Sequence, residues 1–371
     1  MSRESIPVGA QVPAPATRAT LAEDATPVLS GYRMGLARLS PAYFGLVMAT
    51  GIVSLGANMM GHPVLARALL WLNILQYAVL CVLFVLRAVR YPRLFFGDMV
   101  DHLRGPGYFT TVAGTGILAS QFILQRDDAR LGLVLGCVAA LLWLSLTYTI
   151  FTAFTVKRNK PTLDHGISGG WLLAIVATQS LAVVSVLLAP HVPESWRLGL
   201  HFLALSMWLW GGMLYIWMMA LIFYRYMYFQ FSVDDLLPPY WINMGAMAIS
   251  TLAGSLLIQG ADQVPFLASL LPFLKGFTVF YWATGTWWIP ILLLLGIWRY
   301  GFQRFPFRYD PLYWGAVFPL GMYAVCTWQM DHAMGLHLLD GLSRLFLYAA
   351  IFAWTVSFLG MAHGMIRQAR S

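Results

Sequence analysis

The side chains of this 371-residue chain that could do chemistry are hydroxyls, amides and aromatic rings rather than nucleophiles or metal ligands. The most informative stretch is Tyr313-Trp314-Gly315-Ala316-Val317-Phe318-Pro319-Leu320-Gly321. Pro319 has no N–H for the carbonyl of Gly315 and its ring clashes there, so a helix is expected to kink or open at this turn, with Gly315 easing the distortion. Phe318 then stands at the break, where its ring could project into an axial space and obstruct ions by excluding water. Candidates for the wall of such a space are Gly51, Ser54, Thr111, Thr115, Gln179 and Ser250, which offer weak dipolar contacts and no formal charge.

Formal charge is missing from the helix centres altogether. All 15 acidic residues fall in tails, loops or helix ends. An intramembrane carboxylate is the usual mark of a proton relay or cation pathway, so the pattern argues against both. There is no HExxH and no pair of helix-centre aspartates, which leaves the zinc and aspartyl hydrolases of membranes without their sites. His201 and His363 lie near helix ends, a position that suits interfacial roles better than haem ligation, and Lys275 reads as a snorkelling lysine. Cys81, Cys137 and Cys326 stand in apolar runs without CxxC spacing and read as small buried hydrophobes. The expectation is a non-enzyme with no metal and no cofactor.

The elements that must position these residues are set by composition. Hydrophobic residues make up 59% of the chain and charged residues 10%, against roughly 25% charge in a soluble domain. The bilayer is the solvent, and the net charge of +8 bears on topology rather than on a nucleic-acid partner. Residues 1–38, with Pro7, Pro13, Pro15 and Pro27 and no helical period, read as a flexible cytoplasmic tail. Residues 39–367 read as a transmembrane transport domain. A span needs about 20 mostly apolar residues, and ten segments qualify: 42–61, 66–86, 107–124, 131–155, 170–189, 198–223, 240–259, 274–298, 312–330 and 345–366.

With the N-terminus inside, 17 of the 23 basic residues fall on the inner side; Arg67, Arg126, Arg130, Arg197, Lys275 and Arg344 fall outside. This asymmetry supports an even helix count and both termini on the cytoplasmic side of the plasma membrane. Odd-numbered spans are rich in Gly, Ser and Thr, as in Thr110, Thr111, Gly114, Thr115 and Gly116, whereas even-numbered ones are crowded with Leu, Met and aromatic residues. Small residues let helices approach closely. Their recurrence on alternate spans suggests five hairpins around a common axis, the odd members inside and the even members facing lipid.

Several segments resemble one family. Trp314 to Leu320 is similar to the aromatic-x-x-x-Phe-Pro segment of the tellurite-resistance/dicarboxylate transporter family, which includes bacterial tellurite-resistance permeases, fungal malate and sulfite transporters and the slow anion channels of plants. Pro41-Ala42-Tyr43-Phe44-Gly45-Leu46-Val47-Met48-Ala49-Thr50-Gly51 resembles its first-helix signature, and Gly170-Trp171-Leu172-Leu173 and Pro239-Tyr240-Trp241-Ile242-Asn243-Met244-Gly245-Ala246 agree with it. The likeness covers residues 38 to 366 and departs from the family at Asp101–Gly107, where many members have His followed directly by Pro.

The resemblance implies an all-α membrane protein of ten transmembrane helices, arranged as five hairpins in pseudo-fivefold fashion around a central pore, with a gating Phe at Phe318 and often a homotrimer. The expected activity is transport of a small anion of the C4-dicarboxylate, sulfite, tellurite, chloride or nitrate class. Arg87, Arg90, Arg93, Lys157, Arg158 and Lys160 could draw anions to the inner mouth. The alternatives are a proton-coupled dicarboxylate or oxyanion exporter, which would need a titrating group in the path, and a membrane-embedded enzyme.

Overall fold

The computed structural model describes residues 35–230, 232–306 and 309–370. The expected tail, residues 1–38, falls outside these except for its last four positions, and residues 39–371 form a unit of their own. Ten long helices account for most of the described chain: α1 (Gly45–Met59), α2 (Pro63–Arg90), α3 (Phe109–Arg126), α4 (Ala129–Val156), α5 (Leu173–Leu188), α6 (Glu194–Tyr228), α7 (Ile242–Gly260), α8 (Leu271–Ile297), α9 (Trp314–Met334) and α10 (Asp340–Arg370). No strand occurs among the described residues. Eight of these helices, counted with their leading turns, are long and apolar enough to cross a membrane. The other two, α3 and α9, have 18 and 21 residues and are held below that threshold by their Thr, Gln and charged side chains.

The odd helices form a closed ring. α1 packs on α3, α3 on α5, α5 on α7, α7 on α9, and α9 returns to α1, while each even helix packs against the odd helix before it. Burial follows this division: 94% of the apolar window of α5 and of α7 is buried, against 22% for α4 and 17% for α10. The exposed faces of the even helices carry Trp71, Leu75, Leu141, Phe202, Trp217, Leu294 and Phe352, the composition lipid tails require. Of the three cysteines, Cys326 is buried and Cys81 half-buried, but Cys137 is exposed on α4, contrary to its reading as a buried residue.

Each odd helix begins with a 3-10 turn, over Pro41–Phe44, Gly105–Tyr108, Gly169–Leu172, Pro238–Trp241 and Pro311–Tyr313. Proline suits such starts because its fixed φ is helical and its missing N–H would lack a partner there anyway. The five turns touch in the same cyclic order as the helices they lead. The contact between the third and fourth is close enough to require glycine: a Cβ on Gly169 would lie 2.5 Å from the carbonyl oxygen of Pro239.

The opening expected at Pro319 does not form. α9 runs unbroken from Trp314 to Met334 with Pro319 inside it. Pro319 sits in the second turn, so it removes only one bond near the helix start, and its ring fills the place a side chain on Gly245 of α7 would take, where a Cβ would lie 2.7 Å from its Cγ.

Inner helices that pack this tightly tolerate no added volume where they cross. A Cβ on Gly51 would lie 2.4 Å from Cγ2 of Ile117 and 2.8 Å from Nδ2 of Asn73, whereas one on Gly276 would meet nothing within 4 Å. Gly51→Ala is expected to destabilise the protein by about 1–3 kcal/mol through overpacking and Gly276→Ala to leave it unchanged or slightly firmer, as read from thermal midpoints in detergent; equal midpoints for the two variants would refute the packing at this crossing.

Candidate functional site

An internal repeat organises the centre of the ring. When the five leading turns are aligned on Pro41, Pro106, Gly169, Pro238 and Pro311, the fourth residue after each is Gly45, Thr110, Leu173, Ile242 or Gly315, and all five line one small cavity of about 30 Å³ at the turn end of the axis. Eleven, fourteen and eighteen residues after the same anchors stand three further rows. They are Ile52, Ile117, Ser180, Ile249 and Met322; then Leu55, Ser120, Val183, Leu252 and Val325; then Met59, Leu124, Leu187, Leu256 and Gln329. All fifteen line a second axial cavity of about 200 Å³, to which Gly116 and Gln259 also contribute. Steps of three and four residues keep one helix face toward the axis.

Between the two cavities lies the row seven residues after each anchor: Met48, Ala113, Val176, Gly245 and Phe318. Met48 and Phe318 line the smaller cavity, and Phe318 is almost wholly buried at 1% exposure. Met322, one turn further along α9, lines the larger cavity. Gly315 lines the smaller cavity beneath Phe318, and Pro319 turns aside to α7.

The six polar candidates for the wall are placed elsewhere, and none of them lines either axial cavity. Gly51 faces Ile117, Asn73 and Gln121. Ser54 donates to the carbonyl of Ala66 at 2.7 Å and exchanges contacts with Gln125. Thr111 donates to the Tyr108 carbonyl at 2.7 Å, and Gln179 donates to the Trp208 carbonyl at 3.0 Å. Ser250 donates to the Ala246 carbonyl of its own helix.

Thr115 takes part in a pattern that explains the others. Each even helix passes one aromatic polar group to the next odd helix: the Tyr77 hydroxyl pairs with the Thr115 hydroxyl at 2.9 Å, and Trp143 Nε1 donates to the Thr178 hydroxyl at 2.8 Å. Trp208 Nε1 donates to the Ser250 carbonyl at 2.8 Å, Trp282 Nε1 to the Thr327 hydroxyl at 3.0 Å, and Trp354 Nε1 to the Thr50 hydroxyl at 3.0 Å. The hydroxyls of Thr50, Thr115, Thr178 and Thr327 are therefore turned outward, to hold the surrounding layer.

What remains on the axis is mostly apolar. Ser120 and Ser180 line the larger cavity while donating to carbonyls of their own helices, those of Gly116 and Ala177. Gln329 donates to Gln259 at 2.6 Å. Among the described residues no Asp, Glu, His, Lys or Arg lines either axial cavity. A neighbouring vestibule, which shares Leu124, Leu187, Leu256 and Gln259 with the larger cavity, is bordered by His191 and His201.

Charge gathers instead around the turns. Arg87, 1% exposed, pairs with Asp98 at 2.5 Å, and Asp98 also receives Arg104 at 2.8 Å. Arg225 pairs with Asp235 at 3.0 Å and donates to the Tyr240 hydroxyl and to the Ile167 carbonyl. Arg87 is thus committed to an ion pair, while Arg90, Arg93 and Arg158 are exposed and Lys157 donates to the Val100 carbonyl. His102 stacks on Phe154 at 4.2 Å; its burial, with Lys157 nearby, holds its imidazole below the ordinary histidine range. Among the described residues no three His, Cys, Asp or Glu side chains gather so as to hold a metal ion.

Sequence reasoning chose polar residues for the wall and so missed the row residues, most of which are Ile, Leu, Val and Met. The usable signal was the fivefold return of a Pro- or Gly-led aromatic turn, Pro41-Ala42-Tyr43-Phe44, Pro106-Gly107-Tyr108-Phe109, Gly169-Gly170-Trp171-Leu172, Pro238-Pro239-Tyr240-Trp241 and Pro311-Leu312-Tyr313-Trp314, with threonine nine residues on in the first three.

A family model described as SLAC1, voltage-dependent anion channel, matches residues 38–362. An uncharacterized transporter of Methanocaldococcus jannaschii is 25% identical over 327 residues, 86% of this chain and 92% of its own length. A second uncharacterized transporter of that organism is 23% identical over 324 residues, 86% and 91% of the two chains. An uncharacterized membrane protein of Mycobacterium tuberculosis is 35% identical over 150 residues, 40% of this chain and 76% of its own.

The axial rows make a direct chemical prediction. In a background without Cys81, Cys137 and Cys326, Ser120→Cys and Ser180→Cys are expected to react with a small hydrophilic thiol reagent far faster than Thr115→Cys and Gln179→Cys; comparable rates at Ser180 and Gln179 would contradict the assignment of the wall.

Proposed function

The chain belongs to the SLAC1 voltage-dependent anion channel family, the family of the tellurite-resistance/dicarboxylate transporters, and from that premise of membrane anion transport we propose that small anions pass along the axis of the five inner helices and that Phe318 gates them. In this reading all ten long helices span the plasma membrane as five pseudo-fivefold hairpins. Both termini are cytoplasmic, in keeping with 17 of 23 basic residues on that side, and residues 1–38 are a cytoplasmic tail.

The observation that carries the reading is the row at Phe318. Of its four equivalents, Ala113 and Val176 are small, Gly245 is covered by Pro319 and Met48 is long, so a benzyl ring from α9 shares the space between the two cavities with one other large side chain. A ring in that place obstructs ions by keeping water out. Selectivity for anions has a separate source. Five helix N-termini, each equivalent to roughly +0.5 charge, meet at the smaller cavity, where their dipoles favour negative charge. The apolar wall beyond offers little to hold an ion, which suits passage over retention. The substrate is drawn from the C4-dicarboxylate, sulfite, tellurite, chloride and nitrate class.

Phe318→Ala is expected to raise anion flux in proteoliposomes by about tenfold, the result of removing ~1.4 kcal/mol from a barrier; unchanged flux at equal protein density would rule out the gate. A panel of chloride, nitrate, sulfite, malate and tellurite on the same vesicles ranks the substrates.

One observation favours proton coupling instead, the presence of His191 and His201 beside the outer vestibule. Among the described residues no titratable side chain lines the axial cavities, and the channel reading accordingly expects uptake to follow an imposed voltage and to ignore an imposed pH gradient. Uptake driven by a pH gradient at zero voltage, and lost in His201→Gln, would select the coupled exporter.

A further inference from the structure

Three even helices end on an arginine turned inward toward the leading turn of the next odd helix, and two of the three have a carboxylate partner. Arg87 has Asp98, and Tyr108 of the second turn interacts with both. Arg225 has Asp235, with Tyr240 of the fourth turn. The third is Arg299 at the end of α8, where the helix widens into a π turn over Trp298–Phe302. Arg299 is 5% exposed and lines a cavity of about 80 Å³ together with Tyr240, Tyr300 and Tyr313.

No carboxylate lies within ion-pair distance of Arg299 among the described residues, and its Nε and Nη1 are buried without a hydrogen-bond partner. Asp310 precedes its turn much as Asp235 precedes the fourth, but it accepts instead from the Leu312 N–H at 2.8 Å. Among the described residues the aromatic faces of Phe305, at 4.0 Å, and Tyr300, at 5.5 Å, lie against the guanidinium. Cation–π contact offsets only a small part of the cost of burying an unpaired charge. A buried guanidinium with unused donors beside a cavity is a site for an acceptor.

We propose that Arg299 holds a small inorganic anion in this cavity, at a site separate from the axial path. The anion takes the place that Asp98 and Asp235 fill at the sister positions. The cavity, at about 80 Å³, exceeds the space a single water needs and has room for a halide, nitrate or a compact oxyanion. The site borders Ala316 on α9, two residues before Phe318. It is therefore placed to tie the ends of α7, α8 and α9 together beside the proposed gate. This goes beyond axial transport, because a bound anion here need never move through the axis. The same chemistry could be met by a free anion or by a lipid phosphate group.

The test uses the full-length protein in phosphatidylcholine nanodiscs, dialysed into gluconate and titrated with chloride, nitrate or phosphate while the thermal midpoint is followed. The expected result is a saturable rise whose half-saturation concentration moves up about ten- to a hundredfold in Arg299→Gln, the loss of charge-assisted hydrogen bonds. Arg299→Lys, which keeps the charge but loses the planar fork, should fall between and serves where the glutamine variant does not fold. A second arm replaces part of the phosphatidylcholine with phosphatidylglycerol in gluconate alone. A rise there that disappears in Arg299→Gln or Arg299→Lys, with no response to free anions, supports the same site with lipid as the source. The proposal is overturned if the wild-type protein responds in neither arm, or if its response survives unchanged in both variants. Anion flux through the Phe318 path, measured on the same preparations, judges the transport reading independently.

Discussion

Inside a bilayer no water is available to satisfy polar atoms, so each must find a partner within the protein. The five aromatic links between successive hairpins follow from that constraint. Inner helices rich in Gly, Ser and Thr can approach closely, but their hydroxyls need acceptors and donors. Backbone carbonyls one turn back take the hydroxyl protons, as at Thr178 and Ala174 or Ser250 and Ala246. The remaining acceptor capacity receives an indole N–H or a phenol from the outer layer. The result joins hairpin to hairpin round the ring, with α10 returning to α1 through Trp354 and Thr50.

This use of hydroxyls decides the character of the axis. Polar side chains are spent between helices, and the faces left pointing inward are those of Ile, Leu, Val and Met with a few Ser and Gln. On the proposed path an anion meets helix dipoles at the turns and little else. Arg87 and Arg225 are paired with carboxylates near the turns, and among the described residues Arg299 has none within ion-pair distance. The proposal thus separates attraction, concentrated at the turns, from the wall along which an ion would travel.

Much of the architecture was legible from composition and spacing. The presence and approximate positions of the ten long helices and the inner and outer character of alternate helices follow from runs of apolar residues and from where glycine and hydroxyls recur. The wall of the axis was not legible by the same route. Thr115 and Gln179 read as wall residues because they are polar, yet each lies next to the axial face rather than on it, since a helix turns about 100° per residue and a one-residue error moves a side chain to the neighbouring helix. Pro319 misled in a similar way: a proline is disruptive in mid-helix, but in the second turn it costs one bond and its ring can be seated against Gly245.

By itself, then, the sequence determined the solvent, the helices and the family to which the chain belongs, because these depend on local composition and on motifs contiguous in the chain. Only the tertiary structure decided which face of each inner helix meets the axis, which hydroxyls bind neighbouring aromatics, and which of three similar arginines lacks a carboxylate. Those outcomes depend on the rotation of ten helices about their own axes, and that rotation is set jointly by contacts between residues dozens to hundreds of positions apart, such as Thr50 with Trp354.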